Sequence, residues 1–185
     1  MSGTDIVRHK IYIYSIKNIA MPHDWSRFTQ KININAPISV IYDAWTRRDK
    51  LEQWFLRNAE FRTAKGQLRE YASNIHSGDT YEWLWHGHAD DTVEKGKVLE
   101  TNGIDKIKFS FTGGALVTVH IGEVEGAHIV MLKQEDIPTD EHGMVNYNLG
   151  CQTGWCFYLA NLKSVLEGGI DLRNKNIQLK GVINS

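Results

Sequence analysis

Two hydrophobic periods divide this chain. Between Phe28 and Ile137 apolar residues largely alternate with polar ones, the period of two that marks half-buried strands. Between Asn148 and Gly169 the period lengthens: Trp155, Leu159, Leu162 and Leu166 recur at steps of four, three and four, on one helical stripe. Gly168 and Gly169 follow, and glycine accepts the left-handed conformation that closes a helix. Cys156, Phe157, Tyr158 and Val165 leave the reverse side of this helix apolar as well, so it is expected to be wrapped on more than one side.

The alternating region breaks into short pieces. Phe28 to Asn35 reads as a strand with Phe28, Gln30, Ile32 and Ile34 on one face. Ala36-Pro37 opens a helix with Val40, Ile41, Ala44 and Trp45 as its apolar face, and a break at Thr46–Asp49 leads to a second short helix carrying Leu51, Trp54 and Phe55. Strands are then predicted at Glu60–Lys65, Gln67–Ala72, Thr80–His88, Val93–Glu100, Lys106–Phe111, Ala115–Glu123 and His128–Ile137. In the third of these, Tyr81, Trp83 and Trp85 share one face, which needs a deep apolar partner; the C-terminal helix is the obvious one. Turn signals at Ser77-Gly78-Asp79, Thr112-Gly113-Gly114 and Glu125-Gly126 connect neighbours into an antiparallel meander. A polar loop is expected at residues 138–146. In the first 27 residues, Ile11 to Ile16 suits a short strand that either covers a sheet edge or is exchanged between two copies in a homodimer.

Composition narrows the partners. Lys plus Arg is 21 against 22 for Asp plus Glu, a formal net charge of -1, which gives no general attraction to nucleic acid or anionic membrane. The opening segment carries Asp5, Arg8 and Lys10 and a short apolar run, unlike a signal peptide or a membrane span, so a cytoplasmic protein without membrane insertion is expected. Cys151 and Cys156 stand five apart on one predicted helix and read as reduced core residues, one of them alternatively a reactive thiol.

Candidate chemistry is sparse. His86 and His88 share a strand face and His120 lies on a later strand, but that face opposes the tryptophan stripe, so exposed histidines are expected rather than a metal site. Motifs for phosphate, dinucleotide, serine-nucleophile or zinc-protease chemistry are absent, no cofactor is expected, and no catalytic residue is identified. Asp171 and Arg173 are expected to pair with each other or to cap the helix end. The aromatic residues Trp45, Trp54, Tyr81, Trp83, Trp85, Phe109, Phe111, Trp155 and Tyr158 either fill a solid core or line a cavity.

Three segments carry a family resemblance: INAPISVIYDAWTRRDKLEQWF at 34–55, GKVLE at 96–100 with KIKFSF at 106–111, and Gly154-Trp155 followed by Leu159, Leu162 and LEGG. Together they resemble the activator of Hsp90 ATPase homologue-1-like family of the START-like (SRPBCC) superfamily, over residues 28–170. The resemblance implies an α+β helix-grip fold: a curved antiparallel sheet of about six to seven strands around a long C-terminal helix, with two short helices after the first strand. It also implies an apolar cavity between sheet and helix. The expected organisation is an N-terminal extension at 1–27, the START-like domain at 28–170 and a C-terminal tail at 171–185. The expected function is non-catalytic binding of a small hydrophobic or amphipathic molecule, a lipid for example. Its site would be drawn from the nine aromatics together with Val119 and Leu159. A cavity enzyme on a hydrophobic substrate, with Tyr81, Tyr158 or a histidine as acid or base, and a chaperone-interacting module are the alternatives.

Overall fold

The computed structural model describes residues 23–179 and 181–184; the strand expected at Ile11 to Ile16 lies outside them. Seven strands form one antiparallel sheet: β1 (Phe28–Asn33), β2 (Asn58–Arg62), β3 (Thr80–Leu84), β4 (Glu94–Thr101), β5 (Lys106–Ser110), β6 (Leu116–Val124) and β7 (Ala127–Glu135). Their order is β1-β7-β6-β5-β4-β3-β2, so the first strand closes against the last and the others meander in sequence. Helices α1 (Ile38–Thr46) and α2 (Arg48–Trp54) fill the connection from β1 to β2, and α3 (Cys151–Leu166) follows the sheet. This is the helix-grip architecture.

The two-residue period selects one face for burial. Ala59 and Phe61, Tyr81 and Trp83, Ile107 and Phe109, Val117, Val119 and Ile121, and Val130 and Leu132 are all buried on the side that receives the helices. Pro37 presets the chain for α1, and its carbonyl accepts the first helical N–H groups from Val40 and Ile41 at 3.0 Å. Arg47 then takes an extended conformation and separates the two short helices, its guanidinium on Asp49 at 2.8 Å. Val40, expected on the inner face, is 44% exposed; the apolar stripe of α1 is narrower than its sequence and centres on Ile41, Ala44 and Trp45.

Four expectations change. Residues 67–72 form no strand, only an isolated bridge from Leu68 to Arg62. The reason is Asp79, which accepts the Arg69 guanidinium and the His76 N–H and so ties residues 69–79 into a loop. β3 stops at Leu84 because Gly87, at φ 79°, turns the chain; His86 and His88 therefore stand on a turn, not on a strand face. The expected loop at 138–146 becomes helical from Glu141, and Gly143–Gly150 is a π-helical segment running directly into α3. A side chain at Gly143 would press into the Pro138 carbonyl, so only glycine lets this segment start there. Cys156 is exposed rather than a core residue, and Cys151 is half-buried; both thiols are free.

Helix α3 is held by apolar burial and by two polar anchors. Trp155, Leu159 and Leu162 are buried against the sheet and α2, with Leu166 partly covered. Trp155 Nε1 donates to Oε1 of the fully buried Gln134 at 2.9 Å, and Gln134 Nε2 donates to the Tyr147 carbonyl at 3.2 Å. At the other end Asn161, also fully buried, donates to the Trp54 carbonyl at 2.6 Å. Beyond α3, Asp171 and Arg173 pair as expected, at 2.7 Å, but the end they cap is that of α2. Arg173 is buried and donates to the carbonyls of Glu52, Gln53 and Leu56, which the end of α2 leaves without helical partners. Burial pushes the Asp171 carboxyl up, but hydrogen bonds from Arg173 and Lys175 outweigh it and hold the group below the usual carboxylate range.

Two substitutions test this account by chemical denaturation. Leu162→Ala removes a side chain with no exposed surface and is expected to cost about 2–5 kcal/mol. Arg173→Ala leaves three carbonyls without their donor and removes one partner of Asp171, which keeps Lys175, and is expected to cost about 3–5 kcal/mol. A loss below about 0.5 kcal/mol in either case would show that the contact is not made in solution.

Candidate functional site

The aromatic residues converge where β3, the end of α2 and the start of α3 meet. Phe55, just after α2, is the hub. Its ring centroid lies 5.2 Å from Trp54, 5.5 Å from Trp83, 5.2 Å from Trp155, 4.8 Å from Tyr158 and 6.1 Å from Trp85. Phe111 joins Trp155 at 5.4 Å, and Phe109 meets Trp83 at 5.4 Å. Trp83 and Trp155 thus belong to one cluster on one side of the sheet, bridged by Phe55 and Phe111. Tyr81 stacks on Trp83 at 3.8 Å and lies over Gly96, where any side chain would collide with its ring. Trp45 and Trp54 pack edge to face at 4.7 Å deeper under α1.

Part of this cluster is solid and part is open. Trp45, Trp54, Tyr81, Trp83, Phe109, Val119 and Leu159 are buried in the packed core. At the mouth of the grip the packing opens into a recess of about 80 Å³, lined by Phe55, Trp85, Phe111, Cys151, Gly154, Trp155 and Tyr158. Four of its walls, Trp85, Phe111, Trp155 and Tyr158, are expected site residues. The other seven expected positions stand behind it, and the indole N–H groups of Trp45 and Trp83 have no acceptor among the described residues.

The ionisable groups near the recess are strongly perturbed. Burial pushes the Tyr158 hydroxyl up to about 12 and the Tyr81 hydroxyl above the ordinary tyrosine range. Burial also raises the Cys151 thiol, so at neutral pH it is a thiol rather than a nucleophilic thiolate. His86 is lowered by burial and by the nearby charges of Arg173 and Lys175. Glu94 lies directly across the β3–β4 ladder from Trp83, on the strand face it shares with buried Val98. Desolvation raises it to about 7, no cation pairs with it among the described residues, and its charge bears on both Tyr81 and Cys151. His120 is exposed, 4.0 Å from Asp105, and no group of three or more metal-ligating side chains occurs among the described residues.

The family described as activator of Hsp90 ATPase homolog 1-like protein matches residues 35–167. The chain belongs to that family. Solved structures agree on the fold. A protein from Staphylococcus saprophyticus superposes with a TM-score of 0.60 at 19% identity, covering 80% of this chain and 96% of that one. The Aha1 dimer from Colwellia psychrerythraea gives 0.58 at 20% identity, covering 77% and 97%. An Hsp90 activator from Plasmodium falciparum gives 0.54 at 19% identity, covering 77% and 96%. No curated protein matches the sequence. No described helix is long and apolar enough to cross a membrane.

Within this family frame, sequence reasoning missed Phe55 at the site and Glu94 on the strand beside Trp83. Phe55 reads in sequence as the end of a short helix; its central position follows from the chain leaving α2 toward the sheet, which no local signal reports. Glu94 was legible in principle, because it shares strand parity with buried Val98 and therefore had to face inward. Its raised carboxyl has a consequence for stability. Folding favours the protonated form, so stability is fully present below the ordinary carboxylate range and is lost as pH rises through about 7. Glu94→Gln is therefore expected to melt above the parent at pH 8 and level with it near pH 4. A melting-temperature difference independent of pH would show that Glu94 is solvated.

Proposed function

We propose that this family member binds a small apolar or amphipathic molecule at the mouth of the sheet–helix grip. The observation that carries the reading is the recess itself, where five aromatic side chains converge on open space beside a helix whose glycine leaves the floor uncovered. Burying a ligand there removes apolar surface of protein and ligand from water, worth about 25 cal/mol per Å² before ordering costs. The volume suits a ring or a short branched group, with the rest of a longer molecule extending outward. Trp45, Trp54, Tyr81, Trp83, Phe109, Val119 and Leu159 would then hold the walls in place from behind.

Gly154 provides the test. A side chain added at Gly154 meets nothing within 4 Å, and glycine in a helix interior costs about 0.5–1 kcal/mol relative to better helix formers. Gly154→Leu should fill the recess while keeping or raising the melting temperature. Titration with N-phenyl-1-naphthylamine, whose emission rises in apolar surroundings, is expected to saturate on the parent protein and to fail on the variant. Equal probe binding by both would refute the recess as the site.

A second reading, contact with Hsp90, is favoured by the family's description and by the relative from Plasmodium falciparum named as an Hsp90 activator. It predicts that the purified chain changes the ATPase rate of an Hsp90, and an unchanged rate across a saturating titration would rule it out. The dimeric relative from Colwellia psychrerythraea supports a second copy of the chain as a partner, which light scattering would read as a doubled mass.

A further inference from the structure

We propose that residues 11–16 of this same chain, a stretch outside the described residues, dock in a groove between strand β1 and the outward side of α3. The groove is separate from the recess. Cys151, Gly154, Trp155 and Tyr158 wall the recess, whereas Gln152, Cys156 and Ala160 stand about half a turn round the helix, on its opposite flank.

Gln30 of β1, Cys156, Phe157 and Ala160 of α3, and Ile183 of the C-terminal tail line the groove around about 500 Å³. Its polar groups are spent on the fold. Gln30 Nε2 donates to the Gln152 carbonyl at 2.7 Å, and Thr153 Oγ1 donates to the Leu149 carbonyl at 2.9 Å. What remains for an occupant is apolar surface beside the outer edge of β1. That strand pairs with β7 on one side and with no strand among the described residues on the other. Gln30 and Ile32 of β1 are only half-buried, while Val117, Val119, Val130 and Leu132 on the neighbouring strands are fully covered. A sheet edge of this kind is commonly covered by another piece of chain.

Residues 11–16 have the chemistry to fill it. At a period of two, Ile11 and Ile13 share one face for the groove, and Tyr12 and Tyr14 share the other, where their hydroxyls reach water. The point at which the chain enters the fold favours this segment over one from a second copy. Asn148 Nδ2 donates to the Trp25 carbonyl at 2.8 Å, and the Ile137 N–H donates to the Ser26 carbonyl at 3.0 Å. Trp25 is thereby tied to the helical run four residues before Gln152, at one end of the groove. Nine residue steps separate Ile16 from Trp25, a reach of up to about 30 Å, whereas Gln152 to Ala160 spans roughly 12 Å of helix. A tether this short holds the segment at an effective concentration of about a millimolar, which a second copy matches only in very concentrated solution. Coming back from that end, the segment runs antiparallel to β1, as a hairpin partner would.

Limited chymotrypsin digestion of the full chain, read by intact mass, reports on the docking, because Tyr12 and Tyr14 lie inside the segment. Ala160 is exposed on the groove, and Ala160→Arg puts a long side chain there. Cleavage at Tyr12 and Tyr14 is expected to run about tenfold faster in this variant than in the parent, at an equal melting temperature. From the other side of the contact, Ile13→Asp is expected to speed iodoacetamide alkylation of Cys156 about tenfold and to leave Cys151 unchanged. The two substitutions lie on different elements, so either one serves should the other fold poorly. Both rates in the parent are expected to hold across about a hundredfold dilution, as docking within one chain requires. Protection that falls on dilution would give the groove to a second copy and overturn docking within the chain. Cleavage and alkylation rates that neither variant changes would overturn the groove as the docking site.

Discussion

Apolar burial pulls α3 onto the sheet, but burial has no direction, and a helix faced with Trp155, Leu159 and Leu162 could slide along an aromatic floor at little cost. What sets its position is hydrogen bonding in the dry interior. The indole of Trp155 must meet Gln134, and the amide of Asn161 must meet the Trp54 carbonyl. Moving the helix by one turn would strand those buried groups, at about 1–3 kcal/mol each. The register in turn places Cys151, Gly154 and Tyr158 opposite Phe55 and Phe111, and so decides where the grip is closed and where it is open. The recess is a by-product of polar registration as much as of side-chain volume.

The helix-grip domain is a scaffold whose interior can be filled to different depths. Here large rings occupy most of the space between sheet and helix, and Val119 and Leu159, in the middle of the interface, are fully covered. What remains is shallow and lies at the rim. Chemistry at that rim is restrained: the Tyr158 phenol and the Cys151 thiol stay protonated at neutral pH.

Much of the fold was legible because burial on a sheet face writes itself as alternation. Val117, Val119 and Ile121 could be assigned inward without any structure, and Trp155, Leu159 and Leu162 declare one helical side. The failures have a common physical origin in side chains that satisfy backbone groups at a distance. Residues 67–72 alternate like a strand, yet Asp79 draws Arg69 and the His76 amide into a loop. The π-helical entry to α3 is stabilised by Gln134 on Tyr147 and by Asn148 reaching the Trp25 carbonyl, partners far away in sequence. At the site, the aromatic walls were recognisable as a set, but which of them face open space depended on the exit path of Phe55 from α2, and that is a tertiary property.

The clamp formed by Arg173 has a temporal side. Leu56 and Arg173 are separated by 117 residues, and β1 and β7 pair across a comparable span. During synthesis the carbonyls at the end of α2 are made long before Arg173, and the strands β2 to β7 and α3 are translated in between. Such long-range closure makes folding slow relative to helical bundles of similar size, with the aromatic floor built before its lid exists. The helix that covers Trp83, Phe109 and Phe55 is thus translated only after every strand of the sheet it closes.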